Sequence, residues 1–189
     1  KVKVPRKLQT RDSSVSLESP KEESFVKNNI ALDELIKVVS LVDHPIVLLE
    51  NGRNAKYRFD GFGQVKLVIY QDILQILEKY QTFMNRGIFM ILDQRVIDRH
   101  GLHDIQSSIL PKEKIERILD GSKEAIDIFK SSSDEQKNVI IGMITRRLVN
   151  DPKSVDLNVV DEISRLTKIN IQQNAEESRE LFTKKETAE

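Results

Sequence analysis

The sequence predicts an α+β protein: a small, mainly antiparallel sheet with one packing helix, then a C-terminal helical bundle, all preceded by an extended N-terminal arm. Three observations carry this prediction. Strand-like residues concentrate between His44 and Asp93. From Gln94 onward, apolar residues follow the helical period, with helix starts and stops at regular intervals. Residues 1–29 are polar, with apolar residues scattered too thinly to build a core.

The arm comes first. Val2, Val4, Leu8, Val15, Leu17 and Phe25 are spread among serines and charges. Burying so little surface cannot offset the entropy of ordering the segment alone. Val2-x-Val4 and Val15-x-Leu17 keep a period-two alternation, which suits a strand added to a neighbour. Lys1, Lys3, Arg6, Lys7 and Arg11 stand here without an acid among the first 11 residues. Next, Leu32, Leu35, Ile36 and Val39 have helical spacing, while residues 37–42 read equally well as a strand. A helix from about Leu32 is favoured, because Asp33-Glu34 suits a first turn.

Residues 44–93 then read as strand, turn, strand, turn, strand, helix, strand. Pro45–Leu49 is β-branched and apolar, and Asn51-Gly52-Arg53-Asn54 supplies turn residues. Tyr57 and Phe59 alternate with Lys56, Arg58 and Asp60. Gly61-Phe62-Gly63 forms the next turn, and Val65, Leu67 and Ile69 alternate around Lys66, with Val68 adding apolar character. The expectation is a three-stranded antiparallel meander. Gln71–Arg86 changes to the helical period, with Ile73, Leu74, Leu77, Tyr80 and Met84 on one face, and Gly87 at the stop. Ile88–Leu92 is short and bulky enough to be a buried strand, parallel or antiparallel to its neighbour.

In the helical part, Asp93 is the expected cap of a helix ending at His100, with Gly101 following. Pro111 opens another helix and Gly121 ends it, with Ser122 expected to cap the next. Ser133 and Gln136 have capping-box spacing before a longer helix that faces inward through Val139, Ile140, Met143, Ile144 and Leu148. Asp151-Pro152 stops it. Asp156 starts another helix, with Val159, Val160, Ile163 and Leu166 inward. The expected division is an arm at 1–29 and a single body at 30–173, with a sheet part at 44–93 and a helical part at 94–173. Residues 174–189 form a charged helix or fraying tail anchored by Leu181 and Phe182.

Composition narrows the function classes. The 189 residues hold 30 Lys plus Arg against 30 Asp plus Glu, and no Cys. Disulfide scaffolds, thiolate metal sites and cysteine nucleophiles are excluded. Residues 30–110 carry 9 basic and 10 acidic side chains, and residues 111–189 carry 14 and 16. That balance argues against a dedicated duplex-binding body. No apolar run approaches the ~20 residues of a membrane helix, and no signal-peptide pattern opens the sequence. No membrane partner is expected.

The candidate chemistry is thin. His100 and His103, with Asp93, Asp98 and Asp104 nearby, are the closest approach to a metal set, but Gly101 interrupts the spacing. Gly61-x-Gly63 lacks a third glycine and a following helix, so it reads as a hairpin turn. No nucleophile-elbow serine and no phosphate-binding loop occur. No catalytic residue, cofactor or metal is expected. Phe62, between two glycines, is a candidate exposed anchor for a partner, or it folds back over its own hairpin. Arg146-Arg147, with Lys137 on the same helix, are candidates for phosphate contact.

The order of features from Leu92-Asp93 onward carries a family likeness. Arg95–Leu102 ends in His-Gly-Leu. Ile118-Leu119, Phe129, Thr145, Asp161-Glu162-Ile163, Leu166-Thr167 and Ile169 follow, with Phe62-Gly63 and Gly87-Ile88 upstream. Over residues 44–171 this resembles small accessory and structural proteins of tailed bacteriophage particles. The resemblance implies a non-enzymatic role in or around a virus particle and supplies no site residue.

The expected function is therefore a structural or adaptor protein docked in a large assembly, possibly with copies of itself, whose arm latches a neighbouring subunit. The expected contacts are Val2, Val4, Val15 and Leu17 as apolar anchors, Lys1, Lys3, Arg6, Lys7 and Arg11 as electrostatic ones, and Phe62. The alternative is a nucleic-acid-associated regulator using the basic arm with Lys137, Arg146 and Arg147.

Overall fold

A computed structural model describes residues 29–50, 52 and 54–186, with side chains described to residue 181. The fold is α+β. Among the described residues, two antiparallel sheets and a series of short helices bury two adjoining apolar cores.

The three-stranded sheet has β1 (Leu35–Ser40) at its centre, flanked by β4 (Val65–Ile69) and β5 (Phe89–Ile91). Both neighbours run antiparallel to it, with Lys37 opposite Leu67 and Val39 opposite Met90. The two-stranded sheet pairs β2 (Ile46–Leu49) with β3 (Lys56–Phe59), Leu48 facing Tyr57. Two expectations are corrected here. Residues 35–40 form a strand rather than a helix, because the buried Ile36, Val38 and Ser40 keep a period of two. The meander stops after its first hairpin: β3 turns off to pack over the larger sheet, and β4 pairs with β1 instead.

The helix expected at 71–86 is two, α1 (Tyr70–Lys79) and α2 (Gln81–Asn85), broken at Tyr80. The hydroxyl of Tyr80 accepts the Leu49 N–H at 3.0 Å and so ties the break to the end of β2. The inward face of α1 is Asp72, Ile73 and Ile76, while Leu74 is exposed. Gly87 takes a φ of 66°, and a Cβ there would meet Gln136 Nε2 at 2.9 Å. Only glycine satisfies both the left-handed backbone and the close approach.

The helical part runs α3 (Gln94–His100), α4 (His103–Ser108), α5 (Lys112–Leu119), α6 (Ala125–Ser131), α7 (Asp134–Asn150), α8 (Leu157–Thr167) and α9 (Ile171–Glu186). Asp93 and Asp156 cap as the sequence indicates, accepting from the Arg95 and Asn158 N–H groups. Ser122 does not cap: its hydroxyl is buried without a partner, and its carbonyl accepts from Ala125 N instead. The capping box at the start of α7 is half formed. Ser133 Oγ accepts from Gln136 N, but the Gln136 side chain turns away and takes both the N–H and the C=O of Leu110, at 2.7 and 3.2 Å. Fully buried, it ties the loop before α5 to α7.

One core joins Ile36, Val38, Phe59, Val68, Ile73, Phe89 and Val96, with Ile30 beside them. The other fills the helical part and takes in Val39 and Met90 from the sheet. Val139 and Ile105 touch both. The sheet core thus begins before residue 44 and includes α3 beyond residue 93. The boundary expected at 173 falls inside α9, which packs through Ile171 and Ala175 and through Arg179 donating to the carbonyls of Leu148 and Val149. Leu166 and Leu181, expected inward, are exposed.

Candidate functional site

The sites expected from sequence separate into four places. The arm residues Val2, Val4, Arg6, Lys7, Arg11, Val15 and Leu17, and Lys1 and Lys3 with them, lie outside the described residues. Phe62 is half-buried and packs against the helical core, so it folds back rather than standing out as an anchor. Its turn brings Gly63 beside the Lys112 side chain.

The basic residues of α7 do not make one surface. Lys137 pairs with Asp134 at 2.9 Å, on the wall of a cleft lined also by Phe129, Ile141, Leu166 and Ile169. Arg146 sits on a different cleft, with its Nε 2.8 Å from Asp43 and Nη2 3.1 Å from His44 Nδ1. It joins the loop after β1 to the helical part. Arg147 lies 3.9 Å from Asp120. Each of the three cations is paired with a different acid.

The histidines also part. His100 Nε2 is 2.8 Å from the hydroxyl of Tyr70, a side chain almost fully buried in the sheet core. Burial, and then the Arg99 charge, hold the His100 pKa below its ordinary value. His103 is exposed and lies 3.1 Å from Asp98. Asp93 belongs to a different group: Arg95 donates to it at 2.7 and 3.1 Å and also bonds Glu34. The Arg95 hydrogen bond leads in holding the Asp93 carboxyl below the usual range, and Asp93 and then Glu34 raise the guanidinium further. The triad pins the entry to β1 against the start of α3. Among the described residues, no three His, Asp or Glu side chains converge as a metal requires.

The feature that sequence reasoning missed is one face of the larger sheet. Cross-strand partners share a face, which places Leu35, Lys37 and Val39 of β1 with Val65, Leu67 and Ile69 of β4, and with Met90 and then Leu92 on the β5 side. The helical core covers Val39 and Met90. The rest of the face is bare: Leu35 is 53% exposed, Leu67 51%, Leu92 48%, and Val65, directly opposite Val39 on β4, 46%. On β4 the apolar alternation therefore marks the outer face, while the lone Val68 faces the core. A signal was present. A strand apolar on both faces asks for cover on both, and in β4 Val68 supplies the second face.

Comparison with known proteins finds no matching family model, no matching curated protein and no matching solved structure.

Proposed function

We propose that this protein is a non-enzymatic adaptor that docks in a large assembly and latches a neighbouring subunit through its N-terminal segment. The setting suggested by the sequence resemblance is a tailed-phage particle. The single observation that carries the reading is the bare apolar part of one face of the larger sheet, at Leu35, Val65, Leu67 and Leu92 around the exposed Lys37. Clustered exposed apolar side chains of this kind are the mark of interaction sites. The polar constellations, by contrast, serve the fold. Tyr70–His100 and Glu34–Arg95–Asp93 join elements to each other, and Arg146–Asp43 joins sheet to bundle.

The test is deletion of residues 1–29, which spares the buried Ile30. The shortened chain is expected to keep the fold and to lose entry into the native assembly. Unchanged assembly would remove the latch.

The alternative, a nucleic-acid-associated regulator, has less support, since Lys137, Arg146 and Arg147 are each paired and are spread over separate surfaces. It predicts a mobility shift with DNA or RNA at low salt that Arg146→Ala and Arg147→Ala weaken.

A further inference from the structure

We propose that the cleft where α7 meets the sheet core binds a small carboxylate with an apolar body. The proposal goes beyond the adaptor reading, and the cleft shares no residue with the bare sheet face. Its volume is about 340 Å³. That lies at the lower end of the ~300–1,000 Å³ that ligand sites span, and a junction between two cores is where such sites gather. The buried Val42, Ile46 and Ile88 of the sheet core form its floor. Val139 of α7, which touches both cores, closes one side, and the exposed Phe83 stands at the rim. Such a lining favours a ligand that brings apolar surface of its own.

Gly142 also lines the cleft, in the middle of α7. Glycine there weakens the helix relative to alanine. The packing does not require it: a Cβ would meet only Arg146 Nη2, at 3.6 Å. What glycine does at this position is leave the cleft open.

The polar groups select the ligand's charge. Arg146 is committed, since its Nε donates to Asp43 and its Nη2 to His44 Nδ1. Arg86 and Asn138 are exposed at the rim, and among the described residues neither side chain has a hydrogen-bond or ion-pair partner. Asp43 answers the Arg146 charge, so Arg86 is the uncompensated cation. One free guanidinium presents the planar fork that a carboxylate accepts through both oxygens. A single positive charge also suits a monoanion better than a phosphate dianion. The Asn138 amide supplies a further donor.

Titration of the full chain with 3-phenylpropanoate tests this, followed by amide shifts in two-dimensional NMR and by calorimetry. The neutral 3-phenylpropanol and two plain anions, acetate and inorganic phosphate, are titrated alongside. A saturable Kd near ~1 mM is expected for a ligand of this size, with shifts gathered at Val42, Phe83, Arg86, Asn138 and Gly142. The alcohol and the plain anions are expected to bind at least about tenfold more weakly. Arg86→Gln is expected to weaken binding about tenfold, and Gly142→Leu to abolish it by filling the cleft. Lys114→Gln, at an exposed cation outside the cleft, is expected to change nothing. Melting temperatures check folding. Should Gly142→Leu misfold, Gly142→Ala takes its place, with a raised melting temperature and weakened binding expected.

No saturable binding of 3-phenylpropanoate overturns the proposal. Equal binding of the alcohol overturns anion recognition at Arg86. Equal binding of acetate or phosphate overturns the role of the apolar floor. Binding that survives either Arg86→Gln or the Gly142 variant places the site elsewhere and overturns the assignment.

Discussion

At the scale of single residues, buried polar side chains carry disproportionate weight. Gln136 gives its N–H and takes its carbonyl bond with the same residue, Leu110, in a fully buried position. Gln136→Leu keeps the volume but leaves two backbone groups without partners. The expected loss is about 2–6 kcal/mol, since each of the two orphaned groups costs about 1–3 kcal/mol, and urea unfolding measures it. Gln136→Glu is expected to cost at least as much at neutral pH, because an ionised carboxylate there would be buried against the Leu110 carbonyl without a donor to that carbonyl. His100 gives a pH prediction. Its folded pKa is lowered, so below an unfolded value near ~6.5 the unfolded chain binds more protons than the native one. Stability therefore falls as pH drops below ~6.5, until the folded pKa is reached. His100→Gln should flatten that part of a melting-temperature profile, and an unchanged slope would assign the effect elsewhere.

At the scale of elements, the turns and the sheet faces decide most. Gly87 lies between α2 and the buried strand β5, with its φ positive and Gln136 against the place of a Cβ. Gly87→Ala is expected to destabilise by at least ~1 kcal/mol through backbone strain alone, and by more as it displaces the Gln136 bridge. The sheet provides a contrast within one strand. Val68→Ala on the covered face of β4 removes fully buried methyl groups and should cost about 1–3 kcal/mol. Leu67→Ala next to it, half exposed, should change stability by no more than about 0.5 kcal/mol. Equal costs at the two positions would mean that the outer face is covered.

At the scale of the whole molecule, association through an apolar face and association through basic side chains respond oppositely to salt. A complex held at Leu35, Leu67 and Leu92 should persist or tighten when sulfate is raised. A complex held by Arg146 and Arg147 on a nucleic-acid backbone should weaken linearly in log salt. A salt titration of the native assembly separates the two. The division into cores bears on folding as well. Val39 and Met90 belong to the helical core while their sheet neighbours Val38 and Ile91 belong to the other. Unfolding is therefore expected as a single transition by both near-ultraviolet and far-ultraviolet signals.

The sequence by itself determined the α+β class, the first hairpin, the buried β5 segment and most helix boundaries. These depend on local chemistry: Asp93 and Asp156 bond their own first turns, Asp151-Pro152 stops α7, and Gly87, Gly101 and Gly121 adopt positive φ where helices end. Tertiary structure decided the rest. A helix from about Leu32 and a strand at residues 37–42 both fit the chain until β4 and β5 supply partners for the hydrogen bonds of β1. The alternation of Val65, Leu67 and Ile69 shows that β4 has an apolar face but not which way that face points. Its direction was set by where β1 lies and by how far the helical part reaches, which is to Val39 and Met90 and no further. The alternation signalled the apolar face of β4, but not that Leu35, Val65, Leu67 and Leu92 would be left bare. Exposure belongs to the packing of distant elements, and no local pattern of residues encodes it.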